Sequence, residues 1–406
     1  MKTNSTPEPA TSAFGGEDWF DPIEAALRGR IKEFIENLVE QEATAVLERS
    51  RYERGAKMGY RHGTRPRRLL GSFGPVELSL PRVRLTRPDG KSEEWHSAAV
   101  PRYARMTRQV EALIASAYLS GTNTRRVKRA LGALFKGAVG KDVVSRAWRK
   151  LKADWEAWGR RDLASEGIVR LILDGTVVKV RLDRKATNIS LLVVLGVRND
   201  GQKVLLSIRN MGGESEAAWR AVFDDLISRG LPTPQFLIVD GGAGMHKALA
   251  ALWPEVPTQR CTVHKHRNLL AHAPEAMHEE LSCDYNDMIY AASAKEVETK
   301  RRAFLRKWRL KCRAVADSLE EAGAHLFTFT RLPESQWKSA RTTNAIERLH
   351  EEFKRRIKTQ TVLPSAETAA MLFWALLASG QINMRKIDGW KTLAETLNPR
   401  SIDLAA

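Results

Sequence analysis

Phe236-Leu237-Ile238-Val239-Asp240-Gly241-Gly242 ends an apolar run of strand length on a carboxylate and follows it at once with glycines. Ile168-Val169-Arg170-Leu171-Ile172-Leu173-Asp174-Gly175 has the same form. Short apolar runs bounded by turn residues are predicted buried strands, and an acid at the end of each is a candidate site residue. A third acid, Glu347, lies far downstream in Thr342-Thr343-Asn344-Ala345-Ile346-Glu347-Arg348-Leu349. There Ile346, Leu349, Phe353 and Ile357 make the apolar stripe of a helix. Glu347 sits about 100° around the axis from Ile346, at the margin of that stripe, where an acid reaches the edge of a sheet beneath. Asn344 as an N-cap would make Glu347 a capping-box partner instead, and Glu351, one turn on, is the fallback acid.

The segments around these acids set the fold. Strands are expected over 168–180, Asn188–Val197 and Val204–Asn210, the last two joined by the Asp-Gly turn of Arg198-Asn199-Asp200-Gly201. Trp219, Val222, Phe223, Leu226 and Ile227 share one helix face, which Gly230 ends. The strand 235–239 then delivers Asp240, and a short strand at 256–262 precedes a helix beginning near His264. Three antiparallel strands, a helix and a returning strand follow the order of an RNase H-like fold, in which the first and fourth strands lie side by side. The predicted fold class is therefore α+β and multidomain. Its mixed-sheet core (164–270 and 339–406) is split by a helical insertion at 271–338. Within the insertion Ser293-Ala294-Lys295-Glu296 reads as a capping box, and Val297, Phe304, Leu305 and Trp308 form its stripe.

The amino-terminal third is organised differently. Residues 1–18 read as a disordered tail without the apolar region of a secretory signal. Residues 19–100 combine a helix from Pro22 to Arg49, able to pack on the body or on a second copy, with a basic ribbon-like segment carrying Arg65, Arg67 and Arg68. Residues 101–163 read as short basic helices joined by tight turns, a helix-turn-helix-like arrangement presenting Arg125, Arg126, Lys128, Arg146 and Arg149 to DNA. A solvated basic surface or a purely structural bundle is the plainer alternative for these arginines and lysines.

The chemistry follows from charge. Of 406 residues, 66 are Lys or Arg against 48 Asp or Glu, a net charge of +18 that calls for a polyanionic partner. No apolar run approaches the roughly 20 residues of a membrane span. The three cysteines have no paired spacing, so a reducing cytoplasm, with the protein associated with the nucleoid, is expected. Carboxylates at strand ends with one more on a later helix suit two divalent cations about 3.5–4 Å apart, which hold the attacking and leaving oxygens of a phosphoryl transfer. Magnesium prefers such hard oxygen ligands. Asp174 is the expected bridging ligand, with Asp240 on one ion and Glu347 on the other; manganese is a possible substitute. His264, next to the metals, is expected to touch a phosphate or the attacking water; a core histidine without chemistry is the alternative. A zinc site would need Cys261 and His264 to be joined by His266, His272 or Cys283.

Taken together, three stretches resemble the Mutator-like bacterial DDE transposases typified by the IS256 group. They are Leu173-Asp174-Gly175-Thr176, Val239-Asp240-Gly241-Gly242 with Gln259-Arg260-Cys261-Thr262-Val263-His264-Lys265-His266-Arg267-Asn268, and Arg341-Thr342-Thr343-Asn344-Ala345-Ile346-Glu347-Arg348-Leu349. The resemblance extends more loosely over about residues 20–390. It implies that Asp174, Asp240 and Glu347 are a metal-binding catalytic triad and that Cys261 and His264 are the family's Cys-x-x-His signature. It also implies magnesium dependence, double-stranded DNA as substrate (terminal inverted repeats and target) and a homodimer on DNA. His350 departs from the pattern, where Asn is more usual, and is expected to leave the triad untouched. A structure-selective nuclease without strand transfer and a non-enzymatic DNA-binding regulator are the competing readings.

Overall fold

A computed structural model describes residues 22–53, 58–87, 91–119, 141–357, 362–363, 365–399 and 402. The chain divides into two compact units, residues 1–151 and 152–406.

The first unit is built on an antiparallel meander of β1 (Gly59–Gly71), β2 (Gly74–Thr86) and β3 (Ser92–Glu94), in that order. Helix α1 (Pro22–Leu47) lays Val39, Ala43 and Leu47 on the buried side of β2, where Val76, Leu78, Leu80 and Val83 alternate inward. The breaker-rich basic segment is itself β1. Its register slips between Arg61 and Thr64, which accommodates Gly63, and Pro66 lies on an edge strand, where a missing N–H is tolerated. Helix α2 (Arg108–Leu119) follows, and α3 (Lys141–Gly159) carries the chain across the boundary at residue 151, so that Trp155 and Trp158 belong to the second unit. The intervening helix expected to carry Arg125, Arg126 and Lys128 lies outside the described residues.

The second unit contains a mixed sheet of β4 (Ile168–Leu182), β5 (Lys185–Arg198), β6 (Lys203–Asn210), β7 (Phe236–Val239) and β8 (Thr258–Arg260), in the order β6-β5-β4-β7-β8. The first three strands are antiparallel, and β7 and β8 run parallel to β4. The β4–β5 hairpin extends beyond its expected ends because Asp183 and Arg184 both take positive φ, 45° and 64°. That is the two-residue turn conformation which matches strand twist, here without glycine to announce it.

Helices α4 (Glu216–Ser228) and α5 (Ala243–Leu252) cover one face of the sheet, burying Leu171, Leu173, Val194, Trp219, Phe223 and Val239. A helical run of α6 (Thr262–His272), α7 (His278–Ile289), α8 (Ala294–Lys311), α9 (Arg313–Ala322) and α10 (Glu334–Ala340) follows β8. Ser293 caps α8 by accepting from the Glu296 N–H, while the Glu296 carboxylate accepts from the Ala292 N–H. Fully buried Gln259 locks this run to β8, donating to Leu326 O at 2.8 Å and accepting from Phe329 N at 2.7 Å. Helices α11 (Asn344–Ile357) and α12 (Ala366–Ala378) return to the sheet against β4 and β6. Among the described residues, no helix is long and apolar enough to cross a membrane.

Candidate active site

The register of β4 and β7 brings the two aspartates together. Leu173 pairs with Val239 in the parallel ladder, so Asp174 and Asp240 are the next residues on neighbouring strands, whose spacing is about 4.8 Å. Asp174 accepts a hydrogen bond from its own neighbour's Gly175 N–H at 2.9 Å, and Asp240 accepts from Gly242 N–H at 2.9 Å. The second bond closes a turn in which Gly241 has φ 104° and its missing side chain makes room for Arg260.

Asp174 is buried, and burial together with the nearby Asp240 carboxylate pushes it up to about pKa 7. The charge of Glu347 adds to the rise. Among the described residues, no lysine or arginine pairs with either aspartate.

Glu347 enters from α11. That helix begins at Asn344, so Thr343 precedes it and Glu347 is not the capping-box residue; the Thr343 N–H is instead given to Cys261 Sγ at 3.4 Å. The Thr343 hydroxyl donates to Glu347 Oε1 at 3.1 Å, and Arg267 approaches Oε2 at 3.4 Å. His264 Nδ1 lies 3.6 Å from Glu347 Oε1. Glu351, one turn further on, is exposed.

Cys261 is fully buried at the end of β8, and its Sγ, a ring nitrogen of His264 and a Glu347 oxygen all lie within 4.8 Å of one another. Burial pushes the Cys261 thiol up, but hydrogen bonds from His264 and Thr343 outweigh it and leave the thiol lowered. The same bond to Cys261, with Glu347 and Asp174 nearby, pushes His264 up to about 9. Among the described residues, Cys261 and His264 are joined by Glu347 as a third potential ligand. His266 stacks on Tyr285 and bonds Ser282, and Cys283 is exposed.

His350 belongs to the site, contrary to expectation. Its Nδ1 lies 3.5 Å from Asp174 Oδ2, and burial, with Lys354, pushes its pKa down to about 3. Thr343, Glu347 and His350 follow one another at four- and three-residue steps along α11, so they share a face of the helix. That spacing was the signal by which the sequence could have shown all three.

The amino-terminal cations separate into two kinds. Arg65 and Arg68 on β1 and Arg149 on α3 are exposed. Arg67 gives its guanidinium to Pro101 O at 2.6 Å and Ala104 O at 3.0 Å, holding the loop before α2. The Arg146 side chain lies outside the described residues.

The family model "Transposase, Mutator family" matches residues 16–386. The chain belongs to the Mutator family of transposases. Members similar to it include the transposase for insertion sequence element ISRM5 of Rhizobium meliloti, 30% identical over 91% of this chain and 93% of the relative. The transposase for IS406 of Burkholderia multivorans is 28% identical over 88% and 94%. The transposase for IS256 in transposon Tn4001 of Staphylococcus aureus is 27% identical over 84% and 86%. This Mutator-family chain thus matches its relatives over nearly their whole length, with Asp174, Asp240 and Glu347 all inside the matched region.

Proposed function

We propose that this Mutator-family protein is the DNA transposase of an insertion sequence, cutting and joining phosphodiesters at a site built from Asp174, Asp240 and Glu347. The observation that carries the reading is the pairing of Asp174 with Asp240 on adjacent strands, unneutralised by any described lysine or arginine, with Glu347 within reach of their charge. The strand order β6-β5-β4-β7-β8 supports an RNase H-like core, and the helical run after β8 supports an insertion within it.

The donor set suits magnesium. The two aspartates and Glu347 offer hard oxygens, and the buried Thr176 hydroxyl, two residues along the same face of β4, has no protein partner. Asp174, Asp240 and Glu347 would hold the cations. Bound there, they would lower the barrier for the attacking oxygen and stabilise the leaving one.

The chain's own groups do the rest. Asp174 Oδ1 accepts from the Gly175 N–H, and His350 Nδ1 lies beside Oδ2. Thr343 orients Glu347. His264, whose pKa Cys261 raises and which lies 3.6 Å from Glu347, acts as a donor to a phosphate oxygen. Water attacks the phosphodiester at each element end, and the freed 3′-hydroxyl then attacks target DNA. Both are displacements at phosphorus, so one constellation serves both. Exposed Arg65, Arg68 and Arg149 contact DNA phosphates. The apolar stripe Ile23, Leu27, Phe34 and Leu38, exposed on α1, is the face through which two copies pair on DNA.

A labelled, pre-cleaved element end incubated with plasmid and magnesium tests the reading. Covalent joining is expected, with Asp240→Asn abolishing joining while DNA binding persists. Cleavage without joining would instead mark a nuclease, and binding without either a regulator.

A further inference from the structure

Beside the sheet's free edge, within the second unit, lies a cavity of about 200 Å³ lined by Trp155 and Trp158 of α3, by Ser207, Ile208 and Arg209 of β6, and by Arg229. Trp155 and Trp158 stack at 5.0 Å with an interplanar angle of 22°, and both lean on Trp374 of α12. Both are half-buried, and the Arg161 guanidinium lies over the Trp158 ring, 4.6 Å from its centre.

The polar lining joins the Glu156 carboxylate to several donors. The Arg229 side chain is only 8% exposed, and one of its nitrogens serves Leu206 O and Asp225. Its Nε and Nη1 are buried without a partner. The Ser207 hydroxyl, on a residue 1% exposed, is likewise unpartnered. A register slip between Val194 and Leu195 leaves Leu206 unpaired just before Ser207, so the strand itself bulges at the cavity. Buried donors without a partner are unfavourable, and a ligand bearing acceptors would satisfy them.

The size limits that ligand. About 200 Å³ is below the roughly 300–1,000 Å³ of pockets that enclose drug-sized molecules. A single flat ring system with acceptor atoms fits, walled by indoles and met by guanidinium and hydroxyl donors. A nucleobase has that chemistry, since every base offers a π-face and edge acceptors.

The location says which base. Ile208 pairs with Val193, and Val193 pairs with Asp174. The cavity's floor is therefore two strand spacings, roughly 10 Å, from the Asp174 backbone. At about 3.4 Å per stacked nucleotide that is roughly three nucleotides along a strand. We propose that this cavity receives one unpaired base of the DNA strand held at the Asp174–Asp240–Glu347 site, stacked on the Trp155–Trp158 pair and bonded by Arg229 and Ser207. The proposal rests on the transposase reading for its occupant but not for its test.

Photocrosslinking of the full chain provides that test, using a 12-nucleotide oligothymidylate with a single 5-iodouracil, the same strand in a perfect duplex, and 5-iodo-deoxyuridine monophosphate. The adduct from the single strand is expected in the peptide carrying Trp155 and Trp158, at least tenfold weaker from the duplex and from the mononucleotide. Trp155→Phe should retain most of it and Trp155→Ala should lose about tenfold, the order of one base–aromatic stack. Adducts only in other peptides would overturn the proposal, and this mapping needs no variant to fold. Equal yield from the mononucleotide would overturn it in favour of a free-nucleotide site, and equal yield from the duplex would exclude recognition of an unpaired base. Because the readout requires no cleavage, a chain that crosslinks there but joins no DNA would refute the transposase reading alone.

Discussion

His350 Nδ1 stands 3.5 Å from Asp174 Oδ2, with both side chains nearly out of reach of solvent, at 6% and 7% exposure. Burial keeps the imidazole neutral, so it meets the carboxylate as a dipole and not as a counter-charge. It therefore positions Asp174 without cancelling the negative charge that a divalent cation needs. His350→Asn, the residue the family resemblance suggests here, should keep strand joining within about threefold. His350→Ala should cost about 2–3 kcal/mol of stability through the cavity and the lost polar neighbour and should reduce joining at least tenfold. Chemical denaturation and a joining assay read the two effects separately.

Asp174 should make the protein less stable as pH rises. Its folded-state pKa, pushed up to about 7, exceeds the 3.8 of an ordinary aspartate. Between those values the folded chain holds a proton the unfolded chain has released, so stability falls from about pH 4 to about pH 7. At roughly 1.4 kcal/mol per pKa unit, the penalty at pH 8 is on the order of 4 kcal/mol. Asp174→Asn should therefore melt higher than the parent at pH 8 in chelator and about equally at pH 4. Magnesium should raise the melting temperature of the parent at pH 8 and leave that of the variant unmoved.

Thr343 should matter to rate more than to binding. Its hydroxyl donates to Glu347 and lies 3.4 Å from His264 Nδ1. A hydrogen bond to a charged group contributes about 1.5–3 kcal/mol. Thr343→Ala should slow single-turnover joining by about tenfold to a hundredfold with DNA affinity unchanged, and Thr343→Ser should restore most of the rate. Equal loss in both variants would assign Thr343 to packing.

Gln259 tests the attachment of the helical run to the sheet. Gln259→Leu leaves the Leu326 carbonyl and the Phe329 N–H buried and unpaired, at about 1–3 kcal/mol each. A drop of about 2–5 kcal/mol in urea denaturation is expected.

Much of this was legible in the sequence because apolar runs and their terminators are local. The apolar runs leading up to Asp174 and Asp240, the turn at Asn199–Gly201, the capping role of Ser293 and the helix bearing Glu347 could all be read that way, although β4 continues past Asp174 to Leu182. What was missed depends on partners distant in the chain or on backbone conformations without a marker residue. Asp183 and Arg184 turn the longest hairpin with no glycine. The Gly59–Arg68 segment pairs as a strand because β2 lies beside it, despite its own glycines and proline. The carbonyl partners of Arg67, more than thirty residues away, could not be read from the basic run that contains it. His350 was judged by its own helix, whereas what matters is β4 beneath it.

The claim beneath all of this is that Asp174, Asp240 and Glu347 jointly hold divalent cations on DNA. Counting bound manganese by electron paramagnetic resonance, with the full chain on an element-end duplex, measures it directly. About two ions per catalytic site are expected for the parent, and fewer for Asp240→Asn and Glu347→Gln. The same count in all three proteins would contradict the claim.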